Sequence, residues 1–253
     1  MVLASTAGLG LAVARALARE GAAVAISGRD PARLAAASAE VAAAGARDVL
    51  AEALDVTDTP ALVAHLERAR ERFGAVDALV TNAGGPPPGS AAGVAPADLE
   101  RARRLTLESA VFAVQTVLPW MRARGWGRVV ALTSLSVRQP IANLALSNTY
   151  RAALTGWLKT LAGEVGADGV RVNSVCTGLF ETERLDELFE KRAAASGRGV
   201  DEERAAAIAD VPVRRLGRPE EMGDLVAFLC SPRADYLHGA ALPFDGGLTR
   251  GLL

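Results

Sequence analysis

The chain opens on a glycine turn, which reads Ala4-Ser5-Thr6-Ala7-Gly8-Leu9-Gly10 and lies between a short apolar segment and a helical one. Such a turn lets backbone N–H groups approach a pyrophosphate, and the N-terminus of the following helix favours its negative charge. Val13 stands where the general G-x-G-x-x-G fingerprint has its third glycine. The turn by itself therefore indicates a dinucleotide site and an ordinary strand-to-helix turn equally well.

Short apolar runs alternate with longer helical stretches along the rest of the chain. The runs predict strands at residues 24–26, 76–80, 128–132 and 170–175, and the spacing of apolar residues predicts helices at 11–20, 31–44 and 62–73. This alternation is typical of βαβ units in a parallel sheet with right-handed crossovers. We expect one doubly wound α/β domain over residues 1–253. Its first strand is short, because only residues 1–4 precede the turn, which leaves open whether the natural chain begins upstream.

The composition excludes several classes of protein. Apolar residues make up 50% of the 253 positions and charged residues 23%, as in globular domains. With 28 basic and 29 acidic residues, the net charge of −1 builds no field that would attract nucleic acid or an acidic membrane. The two cysteines and two histidines show no disulfide or metal-binding spacing. Apolar runs stay shorter than the roughly 18 residues of a membrane span, and there is no basic leader, so we expect a cytoplasmic protein without a metal site.

Two segments interrupt the strand–helix alternation. Residues 84–89, which read Gly-Gly-Pro-Pro-Pro-Gly, predict a rigid loop after a strand. Residues 180–210 are polar and helical in pattern, and we expect them to form a lid over a substrate site. The apolar side chains of this segment, Leu185, Leu188 and Phe189, fit either an apolar ligand or the packing of an amphipathic helix.

Polar segments follow other predicted strands, at the edge where open α/β sheets bind ligands. They read Asp55-Val56, Thr81-Asn82-Ala83-Gly84 and Thr177-Gly178-Leu179-Phe180-Glu181-Thr182, and Phe244-Asp245-Gly246-Gly247 comes near the end of the chain. In this order and spacing the chain resembles the short-chain dehydrogenase/reductase family, whose motifs are T-G-x-x-x-G-x-G, N-N-A-G and P-G-x-x-x-T. Ala4 replaces the glycine that begins the first motif, and Thr177 replaces the proline of the last.

The resemblance implies a Rossmann-like sheet of seven parallel strands, with helices on both faces and a nicotinamide coenzyme at its carboxyl edge. Members of the family are usually homodimers or homotetramers, formed through the helices after the fourth and fifth strands of the seven and through the C-terminal strand, which here are residues 99–124, 147–164 and 240–244. The residues that the resemblance implies for coenzyme binding are Ala4, Thr6, Gly8, Leu9, Gly10, Arg29, Asp55, Val56, Asn82, Ala83, Gly84, Arg151, Gly178, Phe180 and Thr182.

The end of the second strand carries the residues that choose between the two nicotinamide coenzymes. An acidic side chain there binds the ribose 2′-OH of NAD, whereas an arginine accommodates the 2′-phosphate of NADP. Gly28 takes the place where NAD-preferring relatives carry Asp, and Arg29 follows it. We therefore expect NADP(H) to be preferred over NAD(H). The alternative is that Arg29 is an ordinary solvated arginine, and we expect Asp30 to cap the next helix.

The chemical site departs from the family pattern. The family uses a Tyr to exchange the proton, a Lys four residues later, a Ser that positions the substrate oxygen and a supporting Asn. Ser134 matches the serine, but the other places hold Ser147, Arg151 and Thr106. A serine hydroxyl is a far weaker acid than a phenol, and an arginine does not shuttle protons. Tyr150 is a candidate substitute acid, although packing is the simpler role for it, so the candidate catalytic set is Ser134, Ser147, Arg151 and Tyr150.

Three functions compete. The first is an NADP(H)-dependent oxidoreductase that transfers a hydride between nicotinamide and a small carbonyl or alcohol compound through a degenerate site, similar to members named 3-oxoacyl-carrier-protein reductases. The second is an inactive dinucleotide-binding homologue that serves as a sensor or scaffold subunit, and the third is non-redox elimination or hydration. We favour the first, because positioning contributes about 7–11 kcal/mol to catalysis, whereas the missing acid–base chemistry contributes only about 3–5.5 kcal/mol.

Overall fold

Six parallel strands form the centre of the molecule in the computed structural model, which describes residues 1–252. Their bounds are β1 Ala23–Gly28, β2 Asp48–Ala53, β3 Ala78–Thr81, β4 Gly127–Leu132, β5 Val170–Thr177 and β6 Ala241–Phe244. β1 pairs with β2, and β3, β4, β5 and β6 pair in that order. The strands predicted at residues 24–26, 128–132 and 170–175 are confirmed, whereas the strand predicted from residue 76 begins only at Ala78.

Val2 joins the two groups of strands into one sheet. It bridges Ile26 of β1 on one side and Val80 of β3 on the other. The doubly wound α/β fold is therefore confirmed, with the order β2, β1, Val2, β3, β4, β5 and β6. The predicted count of seven strands is not confirmed within residues 1–252. The expected first strand is reduced to this bridge, because the backbone turns out of the sheet at Ala4.

Helices cover both faces of the sheet. Their bounds are α1 Gly8–Arg19, α2 Pro31–Ala43, α3 Thr59–Phe73, α4 Pro96–Arg103, α5 Ser109–Arg124, α6 Ala145–Val165, α7 Glu183–Ser196, α8 Val200–Asp210 and α9 Pro219–Cys230. The carboxylates of Asp30 and Asp58 cap α2 and α3, and a proline follows each of them in the first turn. None of the helices in the described part of the chain combines the length and the apolarity needed to cross a bilayer.

Successive residues of the central strands enter two separate cores. In β4, Val129 and Ala131 pack into a core shared with α3, α5 and α6, whereas Val130 and Leu132 pack into a core shared with α1, α2 and α9. Side chains alternate between the two faces of a strand, so this pattern places the sheet between two layers of helices. Val114, on a helix expected to mediate self-association, is fully buried in the first core and serves packing.

The expected lid, residues 180–210, folds into α7 and α8. Leu185 and Phe189 are buried together with Leu216, and Leu188 packs partly against them. Packing of an amphipathic helix therefore accounts for these apolar side chains, and no apolar ligand is needed to explain them.

Ala4 is the most constrained residue of the glycine turn. Its φ of 46° lies in the left-handed region, which disfavours every residue with a Cβ. The Ala4 N–H donates to Ser27 Oγ at 3.2 Å, and the Ala4 carbonyl accepts from Asn82 Nδ2 at 2.9 Å. Because these bonds join the turn to the ends of β1 and β3, the surrounding structure holds Ala4 in its strained conformation.

We predict that Ala4→Gly stabilises the fold. Glycine removes the left-handed strain of about 1–2 kcal/mol, and its greater freedom in the unfolded chain offsets about 0.5–1 kcal/mol of that gain. The expected net change is about 0.5–1 kcal/mol in the free energy of unfolding, measured by urea denaturation. The control is Ala152→Gly on the exposed face of α6, which should destabilise by about 1 kcal/mol. Equal destabilisation by both changes would contradict the assignment of strain to Ala4.

Candidate active site

The glycine turn leaves the N-terminus of α1 without a side-chain cap. Ala7, at the N-cap, provides no side-chain hydrogen bond, and the first turn holds no acidic residue. Gly8 has a φ of 53°, and a Cβ on Gly10 would lie 2.6 Å from the Ala4 carbonyl oxygen. Glycine is thus required at both positions, for backbone conformation at Gly8 and for close packing at Gly10. The uncapped N–H groups of α1 suit a phosphate ligand, whereas α2 and α3 use aspartates at the same place.

Two buried serines that sequence reasoning missed hold this turn in place. Ser5 Oγ donates to the Val2 carbonyl at 2.8 Å and accepts from the Ser27 N–H at 3.3 Å. Ser5 N–H in turn donates to the Ser27 carbonyl at 2.8 Å. Both side chains are fully buried, so each hydroxyl satisfies a backbone group that would otherwise lack a partner. The sequence indicated only that one serine lies in the glycine turn and that another follows the strand predicted at residues 24–26.

The start of α7 lies against the glycine turn. Thr182 caps α7, because its Oγ1 accepts from the Leu185 N–H at 3.3 Å. The methyl group of Thr182 lies 3.4 Å from the position that a Cβ on Gly8 would take. The structure therefore brings together two of the predicted coenzyme residues, Gly8 and Thr182, from opposite ends of the chain.

Other predicted coenzyme residues place their side chains in the cores. Val56 is buried in the first core and Ala83 packs against it, while Leu9 packs against the second. The ring of Phe180 is buried in the second core with its centroid 5.6 Å from that of Phe244. The side chains of Val56 and Phe180 are buried, so these two residues meet a ligand mainly through their backbones, whereas Leu9 and Ala83 stay partly exposed. Two glycines of the predicted set lie just after strands, because Gly178 directly follows β5 and Gly84 is the third residue after β3.

Thr6 covers the end of β1. A Cβ on Gly28 would lie 2.3 Å from the Thr6 methyl carbon, so position 28 has no room for a side chain while Thr6 stays in place. The next residue, Arg29, is 81% exposed, and its Nη1 lies 4.0 Å from an oxygen of Asp55. The other Asp55 oxygen accepts from the N–H and the hydroxyl of Thr57 at 2.9 and 2.8 Å. With Thr6 in place, the end of β1 thus leaves no room for an acidic side chain at position 28, and the Arg29 guanidinium beside it is exposed.

An ion pair that sequence reasoning missed joins α2 to α7. Arg33 Nη2 lies 2.6 Å from Glu183 Oε2, and both side chains are more than half exposed. The Glu183 carboxylate raises the pKa of Arg33. The pair links the helix after β1 to the first residue of α7, so it holds the expected lid segment toward the glycine turn. Nothing in the sequence paired these two charges, which are 150 positions apart.

Hydroxyl groups cluster where β4 and β5 end. Ser134 Oγ accepts from the Ser136 N–H at 3.1 Å, and Thr177 Oγ1 donates to the Thr133 carbonyl at 2.9 Å. Ser134 is half-buried, and within residues 1–252 its hydroxyl hydrogen has no acceptor. The Ser136 hydroxyl is buried, and no group in the described part of the chain bonds to it. This edge therefore presents a hydroxyl donor without an acceptor and a second buried hydroxyl beside it.

Ser147 and Arg151 lie four residues apart on α6, so they share one face of the helix. Arg151 Nη1 donates to the Leu132 carbonyl at 3.0 Å, which ties α6 to the end of β4, two residues before Ser134. Burial and the nearby positive charge of Arg184 lower the pKa of Arg151 to about 10. Arg151 therefore keeps its positive charge at neutral pH, and it is a fixed donor rather than a proton shuttle.

Tyr150 and Thr106 occupy buried positions beside these groups. The Tyr150 ring packs with Ala102 and Leu146 in a small cluster of its own. This packing favours a structural role for Tyr150 over that of a substitute acid. Thr106 lies in a π-helical turn, Arg104–Glu108, and its buried hydroxyl has no hydrogen-bond partner within residues 1–252. Turns of this kind are frequent at functional sites, where they interrupt a helix.

We predict that Gly28→Ala destabilises the protein by about 1–3 kcal/mol, because the new methyl group would overlap the Thr6 methyl group. Thr6→Ser removes that methyl group, so Gly28→Ala in the Thr6→Ser background should cost at least about 1 kcal/mol less. Urea denaturation of the four proteins of this double-mutant cycle measures the coupling. An identical cost in both backgrounds would show that Thr6 does not restrict position 28.

Comparisons with known proteins identify the family of this chain. The family model described as enoyl-(acyl carrier protein) reductase matches residues 3–249. Dehydrogenase/reductase SDR family member 4 of Oryctolagus cuniculus is 34% identical over 258 residues, which cover 98% of this chain and 92% of the relative. The crystal structure of L-sorbose reductase from Gluconobacter frateurii, in complex with NADPH and L-sorbose, has a TM-score of 0.93 and 32% identity and covers 99% of this chain and 96% of that one.

A further solved structure is an NADPH-bound short-chain oxidoreductase from Pseudomonas aeruginosa PAO1, described as containing an atypical catalytic center. It has a TM-score of 0.88 and 30% identity, with 99% of this chain and 96% of that chain covered. The matched family model and the relatives extend over nearly the whole sequence and confirm the resemblance that its motifs indicated. The chain therefore belongs to the short-chain dehydrogenase/reductase family of oxidoreductases.

Proposed function

We propose that the protein is an NADP(H)-dependent oxidoreductase that transfers a hydride between nicotinamide and a carbonyl or alcohol carbon, at a site that works without a tyrosine–lysine pair. The observation that carries this proposal is the link between Arg151 and Leu132, which sets a fixed cation and the Ser134 hydroxyl at the end of β4. The glycine turn lies at the same edge of the sheet. One edge thus combines a phosphate-binding helix terminus with a hydroxyl donor for a substrate oxygen.

The residues present at this edge fit a dinucleotide. The uncapped N-terminus of α1 suits the diphosphate, and the tight packing at Gly10 brings the backbone close enough for N–H groups to reach it. Thr182 lies beside Gly8 and closes the same groove from the side of α7. The two solved structures described above are NADPH complexes, which supports the same ligand for this chain.

The preference for NADP(H) rests on the end of β1. Position 28 lacks the room for an aspartate that would bind a ribose 2′-OH, because Thr6 fills it. Arg29 is exposed and only loosely paired, and Arg33 lies in the first turn of the next helix. Two exposed guanidinium groups at this place, of which Arg33 is also paired with Glu183, suit a 2′-phosphate, which they can bind with charge-assisted hydrogen bonds.

We propose separate roles for the three polar residues of the chemical site. Ser134 donates its free hydroxyl hydrogen to the substrate oxygen, and Ser147 provides a second hydroxyl on the facing helix. Arg151 holds the nicotinamide ribose and stabilises negative charge on the substrate oxygen. The coenzyme supplies the hydride when it is bound. Neither serine is acidic enough to act as a general acid at neutral pH, so the oxygen of the reduced substrate takes its proton from solvent. We therefore expect a rate about 10²–10⁴-fold below that of a site with a general acid.

The segment of α7 and α8 closes the site in this proposal. Thr182 and the Arg33–Glu183 ion pair hold the start of α7 toward the glycine turn, so movement of α7 would open the groove. The ion pair is exposed and contributes little stability, so it offers little resistance to such a movement. The buried side chains of Leu185 and Phe189 limit the movement to the start of α7.

The first test of the function separates binding from turnover. Titration with NADPH, followed by fluorescence, should show saturable binding, and a panel of ketones and aldehydes should include compounds that consume NADPH. Ser134→Ala should retain NADPH binding and lower kcat by about 10²–10³-fold, since it removes the donor to the substrate oxygen. Binding without any turnover would favour a sensor or scaffold subunit, and absence of NADPH binding would contradict both functions.

A second prediction concerns the coenzyme. Arg29→Asp should raise the Kd for NADPH by about 10–100-fold, because it replaces a charge-assisted bond to the 2′-phosphate with repulsion. The Kd for NADH should change much less. Arg15→Ala, which removes an exposed arginine from α1, is the control and should leave both values unchanged. Equal weakening of NADPH and NADH by Arg29→Asp would contradict the proposed preference.

A third prediction restores the missing acid. The double variant S147Y/R151K should raise kcat by up to about 10²–10⁴-fold, because a phenol beside an ammonium group provides the general acid that serine lacks. T149Y/R151K is the matched control, since Thr149 lies on the exposed side of the same helix, and it should give no such gain. Equal rates in the two double variants would show that position 147 does not face the reacting atoms.

A further inference from the structure

Two guanidinium groups on the substrate side of the site lack a carboxylate partner. Arg151, on α6, donates only to the Leu132 carbonyl among the described residues. Arg184, the second residue of α7, donates to the Pro86 carbonyl at 3.4 Å and forms no ion pair within residues 1–252. The two side chains are close enough for the charge of Arg184 to depress the pKa of Arg151. The Arg184 side chain is exposed, so water solvates its charge in the empty site. A ligand that displaces this water compensates the two cations best if it carries a negative charge.

The acidic residues near Arg184 are engaged elsewhere. Glu183, the preceding residue, pairs with Arg33 at 2.6 Å, and Asp186 pairs with Arg204 at 3.2 Å. The surface of the chain otherwise pairs many of its arginines with carboxylates, often with two hydrogen bonds, as Arg215 does with Glu221. Within residues 1–252 Arg184 shares the lack of an ion pair with other arginines, such as Arg104 and Arg192. Its position against the Gly85 loop and near Arg151 distinguishes it from them.

The Arg184 guanidinium lies against the loop that follows β3. A Cβ on Gly85 would lie 2.6 Å from Arg184 Nη2, so glycine at position 85 makes room for this side chain. The loop is tied to the start of α6, because the Gly89 N–H donates to the Asn143 carbonyl at 2.7 Å and the Ala145 N–H donates to the Gly89 carbonyl at 3.2 Å. The same helix carries Ser147 and Arg151, so the loop that contacts Arg184 is also bonded to the helix of the chemical site.

We propose that Arg184 recognises the substrate, and that the substrate is a carbonyl compound bearing a carboxylate, an oxo acid. This inference rests on the proposed function, because it assigns the substrate class of the same site. A carboxylate matches the forked donors of a guanidinium. The diphosphate of a coenzyme has its own place at the uncapped N-terminus of α1, which leaves Arg184 for the second ligand. An uncharged substrate would cover the two cations without compensating them, which is unfavourable.

The test uses phenylglyoxylate, a 2-oxo acid, and its methyl ester, which has the same ketone without the charge. Each is titrated into the full-length protein with and without saturating NADPH, and binding is measured by calorimetry alongside NADPH consumption. We expect the acid to bind more tightly than the ester. Arg184→Ala should weaken binding of the acid by about 10–100-fold, Arg184→Lys should weaken it less, and binding of the ester should not change. Lys191→Ala, an exposed cation of the same helix, is the control and should have no effect.

The outcomes distinguish this inference from the proposed function. Equal binding of acid and ester by the unaltered protein, or absence of binding by the acid, would overturn it. A Kd for NADPH that rises in Arg184→Ala, with the acid unaffected, would also overturn it and assign the guanidinium to the coenzyme diphosphate. If the unaltered protein binds the acid through Arg184 but does not bind NADPH, the inference on Arg184 stands and the proposed oxidoreductase function fails.

Discussion

The hydrogen bond from Asn82 to the Ala4 carbonyl is the contact on which the candidate site depends. Ala4 is bound on its other side to Ser27, so one residue joins the glycine turn to the ends of β1 and β3. The chain passes through this point with a single bridging residue, Val2, in place of a full strand. The strained φ of Ala4 shows how strongly the neighbouring strands impose the turn. The open N-terminus of α1, and with it any phosphate site, follows from that geometry.

The chemical half of the site is organised around fixed positive charge rather than around an acid. Arg151 is tied to the end of β4 and stays charged at neutral pH, even though burial lowers its pKa to about 10. Ser147, one helical turn before Arg151, takes the place where an ionisable phenol would allow proton exchange. Such a site can orient two ligands and stabilise an anionic oxygen, and orientation is the larger part of catalysis. In the proposed function, Arg184 would extend the same positive charge toward the second ligand, so that recognition of the substrate and stabilisation of its oxygen would come from two cations, Arg184 and Arg151.

The fold could be predicted from the sequence to a large extent, because it rests on local patterns. Apolar runs located β1, β4 and β5, and Asp30 before Pro31 indicated the start of α2. The prediction of a first strand within residues 1–4 was wrong in extent, because the apolar character of these residues does not reveal where the backbone leaves the sheet. Phe180 was expected at the coenzyme, but its side chain lies in the core, because motif spacing fixes the position of a backbone and not the direction of a side chain.

The features that the sequence did not reveal are contacts between distant segments. Thr6 fills the space beside Gly28, Glu183 pairs with Arg33, and Arg184 occupies the space above Gly85. Each depends on where a loop or helix start is placed in three dimensions, and no spacing rule links the partners. These contacts nevertheless carry the proposals on coenzyme choice and substrate class. The sequence motifs thus locate the site, and the packing around them determines what the site can bind.

The structure of a crystal soaked with millimolar NADPH would show whether the coenzyme binds at the carboxyl edge of the sheet, between the glycine turn and the chemical site. We expect the diphosphate to lie against the backbone N–H groups at the start of α1, the 2′-phosphate beside Arg29, and the nicotinamide ribose within hydrogen-bond distance of Arg151. Side chains filling the groove beside Gly8, or a coenzyme bound with its nicotinamide away from Ser134 and Arg151, would contradict the account.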